Sequence, residues 1–209
     1  MKKEIFFGIC LLLFNFCNAQ YSWTEGELFL KDGTILKGQI KIPTPGNVDV
    51  IALITKERVK FRKEKKSDKI KYGEEQVEKI VFKDLDSMHG HFEYQLVSKK
   101  KKKIVRVLHR GKINVFSKRV VITGGSSNMQ TAIPSVPFNT NSDEFYVSRE
   151  GDAYVTLIKS RKPLSRSFKK NAMRFFKDCP SLVLKLKNKE YTEQDILQIV
   201  KEYENCSQT

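Results

Sequence analysis

Three groups of residues carry side chains that could do chemistry. The densest is VSKKKKKIVRV, residues 97–107, where Lys99, Lys100, Lys101, Lys102 and Lys103 run consecutively and Arg106 follows. In RVKFRK, residues 58–63, Arg58, Lys60 and Arg62 alternate with Val59 and Phe61. Cations on neighbouring strands would sum to a positive field, and contact with a polyanion needs little else. The second group is DLDSMHGHFE, residues 84–93, with His89 and His91 two apart. In extended backbone both would face one side, near Asp84, Asp86 or Glu93. Two imidazoles and a carboxylate could bind zinc or copper, although His-x-His beside a glycine also reads as a polar turn. The third group is the cysteines, Cys179 and Cys206 above all.

Other chemistries find little support. Three histidines in the whole chain leave a histidine-based acid, base or metal site few ways to form. SFKK satisfies Ser-x-x-Lys at Ser167 and Lys170 without the accompanying signatures of penicillin-recognising enzymes, and Phe168 between them belongs to an apolar stripe. TGGSS, residues 123–127, has neither a Gly-x-Ser-x-Gly elbow nor a Walker pattern. No motif of sequence-specific nucleic-acid recognition is present. No cofactor is implied.

The N-terminus points to the compartment in which these residues are read. In MKKEIFFGICLLLFNFCNAQ two lysines precede an apolar run from Ile5 to Phe14, and Cys17 and Ala19 suit a signal peptidase cutting before Gln20. The run is shorter than the roughly 20 residues of a spanning helix. Phe16 before Cys17 and Ile9 before Cys10 do not suit a lipobox. The expectation is a secreted or periplasmic protein with no transmembrane span once residues 1–19 are removed. Cleavage would leave Cys179 and Cys206, and an even pair in an exported protein points to a disulfide, with a redox pair or metal site as alternatives. A Cys-x-x-Cys redox motif and a full set of zinc ligands are both missing.

The chain carries a formal charge of +15. Residues 56–119 hold 21 Lys plus Arg against 9 Asp plus Glu, so most of that excess sits in one third of the sequence. An exported basic protein meets lipid head groups, lipopolysaccharide, polysaccharides and extracellular DNA. A lysine run at a hairpin tip also serves as a solvated turn that resists aggregation.

The elements that must position these residues read as strands first and helices last. GELFLKDGTILKGQIKI, residues 26–42, places Asp32-Gly33 between two alternating runs, a hairpin signal. Further strand signals are VDVIALI, RVKFRK, DKIKY, VEKIVFK, FEYQLV, KIVRVLH and KINVFSKRVVI, and EFYVSREGDAYVTLIK closes the series around Glu150-Gly151-Asp152. Residues 123–143, rich in Gly, Ser, Asn and Pro, read as an exposed loop. After Lys159 the period changes. Phe168, Ala172, Phe175, Phe176 and Cys179 form one helical stripe, with Ser165 or Ser167 as N-cap, and Ile196, Ile199, Val200 and Tyr203 form another behind a Thr192-x-x-Asp195 capping pattern. The intervening PSLVLKLKNKEY fits either a short helix or a strand. The fold class is α+β: an antiparallel β-sheet or partial barrel over residues 20–158, followed by a C-terminal helical segment, residues 159–209, stapled by Cys179 and Cys206 and packed on the same domain.

GELFLKDGTILKGQI, KIVRVLHRGKINVF and FKKNAMRFFKDCPSLVLKLKNKEYTEQDILQIVKEY together resemble a family of uncharacterised secreted proteins common in Bacteroidetes. There a strand-rich exported body precedes a helix ending in Asp-Cys-Pro, here Asp178, Cys179 and Pro180, and a last helix with Tyr, Asn and Cys near its end, here Tyr203, Asn205 and Cys206. The resemblance implies export, the β-then-α order and the cysteine pair; it brings no catalytic residues. The functional expectation is a non-catalytic binding or structural protein of the periplasm or cell envelope, with an unknown envelope component or protein as partner. One alternative is a polyanion-binding module on Lys99–Lys103, Arg106, Arg58, Lys60 and Arg62. Another is a small metal-dependent hydrolase using His89 and His91.

Overall fold

The computed structural model describes residues 23–43, 56–83, 91–124, 138–160 and 167–206, with backbone alone over 120–124 and 138–142. Its centre is a ten-stranded antiparallel sheet. The strands are β1 (Thr24–Leu30), β2 (Ile35–Lys41), β3 (Val59–Arg62), β4 (Ile70–Tyr72), β5 (Val77–Phe82), β6 (Phe92–Ser98), β7 (Lys101–His109), β8 (Ile113–Gly124), β9 (Phe138–Arg149) and β10 (Thr156–Lys159). Their spatial order is β10-β9-β8-β7-β6-β5-β1-β2-β3-β4. The expected strand in VDVIALI, residues 48–54, falls outside the described residues, as do residues 1–22 of the signal-like segment.

The β1–β2 hairpin forms at the expected Asp32-Gly33. Gly33 takes φ +88°, where a side chain would be strained, and Asp32 Oδ1 accepts the Thr34 N–H at 2.9 Å. Inward residues Leu28, Leu30, Ile40, Val59, Phe61, Val77, Ile80 and Ile104 form one core. Gly26 and Gly38 stand opposite each other on the inner face, and a Cβ on either would run into the backbone carbonyl of the next strand, Val81 or Arg62. Such close approach marks a tight bend.

The bend is measurable from one side chain. Glu57, just before β3, reaches Lys118 on β8, with Lys118 Nζ 2.6 Å and 2.7 Å from its two carboxylate oxygens. Six strand intervals separate β3 from β8, which would put them roughly 29 Å apart in a flat sheet at about 4.8 Å per strand. The sheet therefore curls on itself as a partial barrel.

On both sides of this contact β8 and β9 stay paired in unbroken register, from Ile113 opposite Arg149 to Gly124 opposite Phe138. Residues 123–124 and 138–143, expected in the loop, are thus strand. Backbone hydrogen bonds carry the polar run Asn139–Asp143 through the ladder without needing an apolar side chain.

Three helices follow: α1 (Phe168–Phe175), α2 (Pro180–Lys187) and α3 (Ile196–Cys206), with a 3₁₀ turn at Glu193–Asp195 before α3. Ser167 is the N-cap of α1, its hydroxyl accepting the Lys170 N–H at 3.5 Å, so the Ser-x-x-Lys match is a helix cap. PSLVLKLK is a helix: Leu182 and Leu186, four apart, are buried while Leu184 is 58% exposed, and Pro180 opens it at the position where its missing N–H costs nothing. Thr192 and Asp195 form the capping box. Phe168, Ala172, Phe175, Phe176, Leu182, Leu186, Ile199 and Val200 pack with Ile113, Val115, Val147 and Ile158 of the sheet in a second core. Buried Asn171 donates to the Ile158 carbonyl at 2.9 Å, tying α1 to β10.

Cys179 and Cys206 form the disulfide, with Cα atoms 6.1 Å apart and a sequence separation of 27. No helix among the described residues is long and apolar enough to cross a membrane.

Candidate polyanion-binding face

On β3, Val59 and Phe61 enter the core, so Arg58, Lys60 and Arg62 face outward by strand alternation. Register then brings in residues from both neighbouring strands: Lys60 lies opposite Lys41 on β2 and opposite Lys71 on β4. Three lysines stand side by side across three strands, about 4.8 Å apart along the hydrogen-bonding direction. Arg58 and Arg62 extend the array along β3, at about 6.7 Å from Lys60. Lys60 and Lys71 are exposed and Lys41 is half-buried. Among the described residues none of the three is in an ion pair.

The ends of β3 are held by polar contacts of unequal depth. At its C-terminal end Arg62 Nε donates to Gln39 Oε1 at 2.8 Å, and the guanidinium lies 4.2 Å from the centre of the Trp23 ring. At its N-terminal end Glu57 points inward. There β8 separates from β7, their register ending at Arg106 opposite Ser117, and Glu57 and Lys118 occupy the split. Glu57 Oε2 accepts the Ile104 N–H at 2.8 Å, Lys118 Nζ donates to the Ile104 carbonyl at 3.2 Å, and Tyr94 OH donates to the Glu57 carbonyl at 2.9 Å. The ion pair thereby replaces missing ladder bonds. Burial pushes the Lys118 ammonium below its ordinary pKa, against the pull of the Glu57 carboxylate. Burial, with the Glu57 and Glu74 charges, raises the Tyr94 hydroxyl well above its usual value.

The lysine run divides. Lys99 and Lys100 form the exposed two-residue turn between β6 and β7, as a hairpin tip should, while Lys101, Lys102 and Lys103 are half-buried residues of β7. Lys103 turns away from solvent, donating to Tyr146 OH at 2.7 Å and to Glu144 at 3.2 Å. Arg106 lines a recess of about 50 Å³ with Phe92, Lys118, Arg119 and Asp143, where burial and the Arg119 charge lower its pKa. Five consecutive lysines thus do not make one surface. The structure unites Arg58, Lys60 and Arg62 with Lys41 and Lys71, which sequence reasoning missed; only the register could have revealed them.

Of the two candidate metal ligands, His89 lies outside the described residues, with Asp84 and Asp86. His91 Nε2 is 3.3 Å from Glu93 Oε2, and the same glutamate binds Arg110. The described residues contain no group of three or more metal-ligating side chains.

Compared with known proteins, the chain matches no family model, no curated protein and no solved structure. The functional reading therefore rests on its own residues.

Proposed function

We propose that this is an exported, non-catalytic protein of the cell envelope, one of the secreted Bacteroidetes-type proteins it resembles, whose β2–β4 outer face contacts a layer of phosphate groups. The observation that carries this is the in-register row Lys41, Lys60 and Lys71. Like charges placed directly opposite destabilise a sheet, so a row of three is better suited to meeting counter-charge from outside. The array extends both across and along the strands, which matches a planar surface of lipid or lipopolysaccharide head groups better than a single linear strand of DNA. The signal-like N-terminus supports export, and the disulfide suits an oxidising compartment.

The test measures binding of the chain from Gln20 onward to phosphatidylglycerol vesicles, lipopolysaccharide and duplex DNA across a salt series, with phosphatidylcholine vesicles as the neutral control. Binding to the first two that weakens steeply with salt, and much weaker DNA binding, is expected. Equal affinity for neutral and anionic vesicles would remove the proposal; tighter DNA binding would replace the planar surface with a linear polyanion.

A further inference from the structure

A second charged region lies at the other end of the sheet and does not rest on the lysine face. Between the β9–β10 connection and the end of α1 is a cleft of about 400 Å³, lined by Arg149, Asp152, Tyr154, Arg174, Phe175 and Lys177 among others. The cleft is open, nearer a surface depression than an enclosed cavity, so a ligand would lie against its wall.

The lining is unbalanced in charge. Arg149 is paired with Asp178, which leaves Arg174 and Lys177 facing one carboxylate, and that carboxylate is partly engaged, Asp152 Oδ2 accepting the Arg149 backbone N–H at 2.7 Å. Arg174 and Lys177 are exposed, and neither is in an ion pair among the described residues.

Arg149 is held ready. Its Nη2 donates to the Phe175 carbonyl at 2.7 Å, to Asp178 at 3.1 Å and to Tyr203 OH at 3.3 Å, while the guanidinium lies 4.4 Å from the centre of the Phe175 ring. Among the described residues every side-chain hydrogen bond of Arg149 leaves from Nη2. A guanidinium has five N–H donors, and among the described residues Nε and Nη1 have no acceptor. The fixed guanidinium has already lost its rotamer freedom in folding, which lowers the entropic cost of binding. Tyr154, 43% exposed, adds an aromatic surface to the lining.

We infer that this cleft binds a small organic oxyanion, its carboxylate or phosphate against Arg149, Arg174 and Lys177 and its carbon skeleton against Tyr154. The chemistry required is an anionic group on a compact ring or short chain, of the size of one sugar unit.

The experiment titrates glucuronate, glucose 6-phosphate and glucose into the isotope-labelled exported protein and follows backbone amide shifts. Saturable shifts at residues 149–156 and 174–177 are expected with at least one of the two anions, and none with glucose. The anion that saturates at lower concentration tells carboxylate from phosphate. Arg174→Gln with Lys177→Gln, both on exposed side chains, should weaken that binding about tenfold or more, and Tyr154→Ala about threefold, while the remaining spectrum stays unchanged. Three results would each overturn the inference: no saturable shift with either anion, equal binding of glucose, or unaltered affinity in the double variant.

Discussion

Where the C-terminal helices pack on the sheet, Arg149 meets Asp178, Lys159 meets Glu193 and, between two helices, Lys185 meets Glu202, whereas on β2–β4 Lys60 lies between Lys41 and Lys71. The helices pack on the same sheet that contains β2–β4. In the helical unit, charge is part of the construction: Arg149 ties β9 to the end of α1 and to Tyr203 of α3, and Lys185, Glu202 and Tyr191 link α2 to α3. On β2–β4 the fold is held by apolar inward residues, by backbone pairing and by the contacts of Arg62 with Gln39 and Trp23, while Lys41, Lys60 and Lys71 add repulsion. Positive charge that a fold consumes and positive charge that it displays can thus be told apart by partner, though the sequence writes both as lysine and arginine.

The largest effect is expected where Glu57 anchors the N-terminal end of β3. Glu57→Gln leaves Lys118, only 5% exposed, without its carboxylate, and should cost about 3–5 kcal/mol in urea unfolding. Adding Lys118→Met should restore most of that loss, because two desolvated charges are then replaced by apolar and neutral groups.

Next in size is the staple of the helical unit. Replacing Cys179 and Cys206 by serine removes a cross-link with a sequence separation of 27, a loss of about 3–4 kcal/mol on the chain-entropy model. Circular dichroism should show the loss as a lowered melting temperature.

Acid should loosen the helical unit through its carboxylates. Partial burial opposes ionisation of Asp178, but hydrogen bonds from Tyr203 and its own backbone and the Arg149 charge outweigh it, holding its carboxyl below the ordinary range. Glu202 is lowered in the same way, with Tyr191 and Lys185 outweighing burial. A carboxyl whose folded pKa is depressed contributes stability above its unfolded pKa of about 4, and that contribution is lost as pH falls through the folded value. The urea midpoint should therefore be steady above about pH 5 and drop below about pH 4. Asp178→Asn should flatten that drop and cost about 1 kcal/mol or less at pH 7, since the side chain is half exposed.

The smallest effect has the opposite sign. Lys60→Gln relieves repulsion from both sides and should stabilise the protein by a few tenths of a kcal/mol at low salt, with the gain vanishing at high salt.

Much of the architecture is legible in the sequence. The stripe Ile196, Ile199, Val200 and Tyr203, the Thr192–Asp195 capping box and the Asp32-Gly33 turn are local patterns, and each is present. PSLVLKLK was ambiguous because Leu182, Leu184 and Leu186 satisfy an alternating period, while burial selects only the outer two. The basic face was half legible. Alternation alone puts Arg58, Lys60 and Arg62 on one side of a strand, but Lys41 and Lys71 join them through pairings that no local pattern encodes. The run at 99–103 misled for the same reason. Composition marks it as the most basic segment, yet Lys103 is drawn to Glu144, 41 residues away in sequence. Glu57 and Lys118, separated by 61 residues, meet only because the sheet curls.

The most direct test of the central claim compares two triple variants that remove the same amount of charge. Lys41, Lys60 and Lys71 are changed to glutamine in one; in the other, exposed Lys187, Lys189 and Lys201 of the helical unit are changed to glutamine. Binding to phosphatidylglycerol vesicles is then measured from about 50 to 200 mM salt, a range over which multivalent electrostatic contacts weaken by orders of magnitude. The first variant should lose at least about tenfold in affinity with a shallower salt slope, and the second should stay close to wild type. Equal losses in both would mean that net charge alone drives the contact, leaving edge-strand protection as the role of the lysine row.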